Sequence, residues 1–168
     1  MVEESPVRSF VYLFVFLVLI WLALTSTFQV QELVTGLLIS FFLSLFLAKN
    51  YSGLGLPPFS VKRLVFFIVY IPILLWEIIK ANFDVAYRVI HPKMPIRPGI
   101  VVIRTGLKTD IAKTILANSI TLTPGTFTLD IIGDKLLVHW INVKAEDIER
   151  ATELIGGRFE KYLKNIFS

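Results

Sequence analysis

From Phe10 to Phe28 the chain runs 19 residues without a charge. As an α-helix that stretch is about 28 Å long, close to the roughly 30 Å hydrocarbon core of a bilayer. A secretory signal fits poorly, because its apolar region is about 7–15 residues and no small-x-small cleavage site follows here. A second charge-free run, Leu33–Ala48, begins almost at once and holds 16 residues. Its helix is about 24 Å long, short for a span but sufficient if Lys49 snorkels to the interface. Gln29–Glu32 leave room only for a tight turn, so the two runs are expected to form a helical hairpin, with helices at about 10–28 and 33–48.

On the second helix Gly36, Ser40 and Ser44 recur every four residues and share one face. Small residues at that spacing let two helix backbones approach closely in lipid, which makes the three candidates for a packing interface. Gly and Ser are also common in membrane helices, so the spacing has an ordinary explanation too.

The third run, Leu64–Trp76, is 13 uncharged residues closed by Glu77, and it contains Pro72. A helix over 61–90 is expected. Lys62 and Arg63 precede the run, while Lys80 and Arg88 follow it. Basic residues mark the cytoplasmic side, so both ends belong there. A full span cannot satisfy that; an interfacial or re-entrant helix can. The same rule puts the uncharged first connector outside. It leaves both termini in the cytoplasm, in a multi-pass protein of the cell membrane with two true spans. Glu77 reads in two ways: as a possible intramembrane acid relaying protons, or as the interfacial end of the run paired with Lys80 three residues on.

Composition sharpens the division. Residues 1–92 hold 6 Lys and Arg and 5 Asp and Glu, whereas residues 93–168 hold 11 and 8. The first part carries the membrane character, and the second resembles an ordinary small domain. Its surplus of three positive charges is scattered, which suits a neighbouring anionic lipid surface and argues against nucleic acid. The absence of cysteine excludes disulfides, thiolate zinc sites, iron–sulfur clusters and a cysteine nucleophile.

Pro92, Pro95 and Pro98 repeat at the polyproline II period, so residues 92–98 are expected to form a stiff spacer between a membrane region, 1–91, and a domain, 99–168. His91 is read as a solvated linker residue. Beyond the spacer the expected order is β-α-β-β-α, two helices on one face of a small mixed sheet. A strand covers Gly99–Arg104, and a helix starts at Thr109 or Asp110 and stops at Thr123-Pro124-Gly125. Gly133-Asp134 forms a two-residue hairpin turn. Counting outward from it pairs Ile131 with Leu136, Leu129 with Val138 and Phe127 with Trp140, all facing the core. The opposite face then carries Thr126, Thr128, Asp130, Leu137, His139 and Ile141. A last helix spans about 145–166, weakened at Gly156-Gly157.

No hydrolase elbow, phosphate loop, dinucleotide fingerprint or zinc-protease motif occurs. Ser119, His139 and Asp130 fail as a triad, since the last two lie two cross-strand positions apart and Ser119 sits inside a helix. His139, expected opposite Thr128, reads as a hydrogen-bonding surface residue. No catalytic residue, metal, cofactor or small-molecule substrate is therefore expected. What stands out is Asn118-Ser-Ile-Thr-Leu-Thr-Pro-Gly-Thr126, where Thr121, Thr123 and Thr126 cluster around Pro124 and Gly125. These residues either satisfy backbone groups freed at a helix end or bind something.

The run Ser119-Ile-Thr-Leu-Thr-Pro-Gly-Thr126, with Leu129-Asp130, Leu137-Val-His-Trp140 and the upstream Ile96-Arg97-Pro98-Gly99, resembles the E subunit of the multisubunit Mrp-type sodium/proton antiporter. The resemblance extends over nearly the whole chain. It implies a small accessory subunit with a cytoplasmic domain, in a complex that exchanges cytoplasmic monovalent cations for external protons. The large subunits of that family carry the ion path. The implied partners are those subunits and membrane lipid. Thr123, Pro124 and Gly125 are then expected to fix a turn that docks the domain on a partner. Two other readings stay open: a free-standing adapter that recruits a soluble partner, and a membrane-bound enzyme of unrecognised type.

Overall fold

The computed structural model describes residues 6–52 and 60–167, and the chain divides into two compact units at Leu56/Pro57. The first unit is an antiparallel helical hairpin, α1 (Pro6–Thr25) and α2 (Val30–Ser52). Both helices start earlier than the charge pattern suggests, and α1 also ends earlier. The turn is therefore Ser26–Gln29, not Gln29–Glu32. Ser26 takes a left-handed backbone, φ 50°, which stops α1. The Leu33 amide already donates to the Gln29 carbonyl at 3.0 Å, so helix geometry has begun before Glu32.

Small residues line the inner face of α2, where Gly36, Ser40, Ser44 and Ala48 are buried. Ser9 and Leu13 are buried on α1. Phe41 of α2 meets Phe10 edge-on, ring centroids 5.6 Å apart. Near the turn the Trp21 indole lies over Gly36, and its Nε1–H donates to the Glu32 carbonyl at 3.0 Å. A Cβ on Gly36 would fall 2.3 Å from the Trp21 ring, so only glycine admits the indole there.

The second unit begins with α3 (Val61–Ile90), one unbroken helix of 30 residues that passes through Pro72. It does not turn back anywhere along its length. It and α2 are long and apolar enough to cross a membrane. Yet α3 packs on the domain that follows. Phe66 and Leu74 press on its core, Tyr70 is buried, and Glu77 and Arg88 are buried further along. The first four follow at spacings of three and four, and Arg88 lies eleven residues, about three turns, beyond Glu77, so all five trace one stripe down the helix.

The segment after α3 is no free spacer. Met94 turns the chain with φ 39°. The Arg97 amide donates to Ile141 O at 3.1 Å, and Val143 N donates back to Arg97 O at 2.9 Å. Arg88 holds the segment from the helix side, donating to Pro95 O at 2.6 Å and to both carboxylate oxygens of Asp84. Polyproline periodicity carries no information about such tertiary bonds, which is why it misled.

Strands β1 (Gly99–Arg104), β2 (Thr126–Ile132) and β3 (Lys135–Trp140) form a sheet in the order β1-β3-β2. Both pairings are antiparallel, so the sheet is not mixed. α4 (Asp110–Leu122) is capped by Thr109, whose hydroxyl accepts from Ala112 N at 3.3 Å. The last helix is not continuous. α5 (Ile148–Thr152) and α6 (Arg158–Phe167) are joined by a π turn, Glu153–Gly157. Gly156-Gly157 ends that turn, and its extra residue lets Ala151 before the turn, Ile155 within it and Phe159, Leu163 and Ile166 after it all reach the core.

The hairpin register departs from simple counting. Ile131 faces Leu136, but a bulge between Thr128 and Asp130 shifts everything beyond it. Thr128 now opposes Val138, Thr126 opposes Trp140, and Phe127 opposes His139. Phe127 and Leu129 are thereby turned outward, 52% and 46% exposed. Alternation cannot reveal one inserted residue, which flips every side chain past it.

The hairpin gives a test of the first unit. Replacing Gly36 by Ala should push the Trp21 ring aside and break its bond to Glu32. In a W76F/W140F background, Trp21 emission should shift and the hairpin should lose about 1–3 kcal/mol in detergent unfolding. Unchanged emission would disprove the contact.

Candidate functional site

Thr123-Pro124-Gly125-Thr126 is a type II turn built from its residue types. Proline fixes φ at the first central position, and Gly125 takes φ +92° at the second. The Thr126 amide closes it on Thr123 O at 3.3 Å. The hydroxyls are used inside the domain. Thr123 Oγ1 donates to Ser119 O at 2.8 Å, and Thr126 Oγ1 lies 2.7 Å from Ile120 O and 2.9 Å from Thr123 O. Thr121 Oγ1 accepts from Thr128 N at 3.2 Å, and Thr128 Oγ1 donates to Ala117 O at 3.2 Å. The threonine cluster thus satisfies the carbonyls at the end of α4 and laces that end to β2. The bulge makes this possible, because it turns Thr126 and Thr128 toward α4.

Gly125 is also a point of close approach. A Cβ there would sit 2.9 Å from Ile141 Cγ2 and 3.5 Å from Val85 Cγ2 of α3. The turn is therefore part of the seat on which α3 rests.

Two polar links fasten the same seat. The Ser119 hydroxyl donates to Ile115 O at 2.7 Å, so its bond with the Tyr70 hydroxyl of α3 has Tyr70 as donor. Tyr70 also meets Phe159 of α6 edge-on at 6.5 Å. Glu77 pairs with Lys80 on its own helix at 2.5 Å and with Arg158 at the start of α6. A carboxylate on an apolar helix thus becomes an ionic bolt between α3 and the domain. Arg88 completes the row: its guanidinium donates to Pro95 O, and the Asn142 side-chain amide faces it.

The remaining expected residues fall apart in space. Ser119 is buried against α3, whereas His139 lies on the outer sheet face between Ile100 and Phe127 in the cross-strand row. Asp130 is exposed and accepts from Ile131 N at 2.7 Å. No triad geometry exists among them. Gly36, Ser40 and Ser44 belong to the hairpin, in the other unit. Among the described residues no group of three His, Asp or Glu is placed to hold a metal. No sequence motif singles out Tyr70, Arg88, Arg158 or Glu160, yet the structure puts all four at seams. Glu160 is buried on α6, accepts from Gly106 N at 2.7 Å and pairs with Lys164 at 2.8 Å. Their common signal is a polar residue at a seam position of an otherwise apolar stripe.

Fold and site together define a class: a helical hairpin followed by an α+β domain welded lengthwise to an apolar helix, its polar residues spent on the weld. Comparison with known proteins then gives the family. The chain belongs to the Na+/H+ ion antiporter subunit family, whose pattern matches residues 14–166. It is 33% identical to the E subunit of the Na+/H+ antiporter of Bacillus subtilis over 152 residues, 90% of this chain and 94% of that one. It is 34% identical to the E1 subunit of the Na+/H+ antiporter of Staphylococcus aureus strain Newman over 148 residues, 87% and 89% of the two chains. A chain in the structure of the membrane-bound sulfane sulfur reductase, an archaeal respiratory membrane complex, shares the fold with a TM-score of 0.84. It is 50% identical, over 95% of this chain and 99% of that one.

Two substitutions probe the seat. Gly125→Ala should destabilise the full chain by about 1–3 kcal/mol, since it strains the left-handed backbone and crowds Ile141. Thermal unfolding in detergent measures it; wild-type stability would refute the close approach. A double-mutant cycle of Glu77→Gln and Arg158→Gln should show coupling of about 1–3 kcal/mol. Additive losses would mean that the bolt carries nothing.

Proposed function

We propose that this chain is an accessory membrane subunit of a multisubunit monovalent cation/proton antiporter, supporting assembly and activity of the complex without forming the ion path. The observation that carries the reading is the state of Glu77. A proton path needs an acid free to change partners at membrane depth, and Glu77 is held between Lys80 and Arg158. The α1–α2 hairpin anchors the chain in the cell membrane. The basic residues Lys62 and Arg63 ahead of α3 support a cytoplasmic α+β domain, by the rule that such residues stay on the cytoplasmic side. The Thr123–Thr126 turn acts through assembly: by seating α3 it shapes the surface offered to neighbouring subunits.

A second reading has its own support. The chain from the sulfane sulfur reductase complex is 50% identical, against 33% and 34% for the antiporter relatives from Bacillus subtilis and Staphylococcus aureus. In that reading the chain is a subunit of a respiratory membrane complex, with the same role in assembly.

Native purification through a tag on this chain should recover a large assembly containing polytopic subunits. In vesicles that assembly should exchange sodium for protons. Recovery of redox centres and sulfur-reducing activity would favour the second reading. Recovery of this chain with soluble proteins alone would overturn both and leave the adapter. Thr123→Val and Pro124→Ala should lower the amount of complex and the exchange in parallel, whereas Glu77→Gln should keep most of the exchange. Exchange lost at a normal level of complex would contradict a purely assembling role.

A further inference from the structure

We infer that α3 does not cross the bilayer but lies along its surface, with its outer arc in the boundary between headgroups and acyl chains. The occupant of that arc is lipid. The α+β domain is thereby held flat on the membrane. This rests on the reading of the chain as a membrane subunit.

Length and apolarity alone would admit α3 as a span; the basic residues at both its ends argue against one, and its packing forbids it. The seam from Phe66 through Tyr70, Leu74, Glu77 and Val85 to Arg88 covers about 33 Å of helix, as much as the hydrocarbon core is thick. No part of α3 long enough to cross is free of the domain. A crossing helix would carry α6, with exposed Lys161 and Lys164, into hydrocarbon. Each such charge costs about 2.5–3.5 kcal/mol near the bilayer centre.

The opposite side of α3 cannot stay in water either. Ile68, Leu75, Trp76, Ile79, Phe83 and Tyr87 are each between 46% and 74% exposed and follow one another along the helix. A continuous apolar face of that length marks a partner or a membrane. Trp76 and Tyr87 are the side chains that settle at headgroup level, and exposed Lys62 stands at the entry of the helix. An apolar arc with interfacial aromatics and basic neighbours is the pattern of a helix lying in the interface.

The sequence has no cysteine, so single cysteines can be placed cleanly in the full chain at Ile68, Leu75, Ile79 and Phe83, all exposed positions that leave the fold untouched. Each carries an environment-sensitive fluorophore in phosphatidylcholine/phosphatidylglycerol vesicles with lipids brominated at different depths. Labels at Phe16 and Leu38 of the hairpin serve as reference. All four α3 labels should report one shallow depth, about 5–10 Å below the headgroup boundary, with shallow bromines quenching several-fold more than deep ones. A depth that changes steadily, by about 22 Å between residues 68 and 83, would make α3 a span and overturn the inference. Quenching by aqueous iodide in place of bromine would overturn it too. In the assembled complex the lipid quenching should persist; its loss at all four positions would give the arc to a neighbouring subunit and refute lipid as occupant. Failure of the hairpin labels to meet lipid would instead bring down the membrane reading itself.

Discussion

The lengthwise weld between an apolar helix and a domain that otherwise belongs in water governs the second unit. Tyr70, Glu77 and Arg88 recur along one side of α3, and each has a fixed partner: Ser119, Arg158 and the Pro95–Asn142 region. Burying a charge or a hydroxyl is costly unless its bonds are complete, so these links hold α3 in one register against the domain. By length and apolarity alone α3 passes for a transmembrane span; the weld sets it apart from one.

The sheet and its helices are arranged to present that seat. The bulge near Leu129 turns the threonines of β2 inward, where they tie down the end of α4. The same bulge turns Phe127 and Leu129 outward, onto the face that also carries Ile100 and His139, so the outer sheet face is richer in apolar side chains than strict alternation gives. The π turn at Glu153–Gly157 re-phases the last helix so that Phe159 reaches Tyr70 while Ile155 stays in the core. Each irregularity is a single residue out of step, and each serves the packing of the domain.

The two units solve different problems of apolar surface. In the hairpin, small residues let helix backbones meet, and Trp21 fills the space Gly36 leaves. In the second unit, polar residues on an apolar helix find partners across a seam. The Glu77 ion pair and the packed threonines spend their polar groups inside the chain, and family membership makes the chain a Na+/H+ antiporter subunit. The type II turn that looked like a binding motif does its observed work inside the domain, on α4, Ile141 and α3.

The sequence by itself settled what depends on local periodicity and residue type: the apolar helices, the Pro-Gly stop after α4 and the Gly133-Asp134 turn; it left the cap between Thr109 and Asp110, and Glu77 between a relay and a partner for Lys80. Gly36, Ser40 and Ser44 could be put on one face because a helix places every fourth residue together. Tertiary structure decided what depends on partners far along the chain. Arg158 lies 81 residues from Glu77 and Ser119 lies 49 from Tyr70, and no local pattern links them. The β2 bulge, the folded-back proline segment and the attachment of α3 to the domain belong to the same set. A helix's own sequence fixes which faces are apolar, but only the rest of the fold decides which of them is covered by protein.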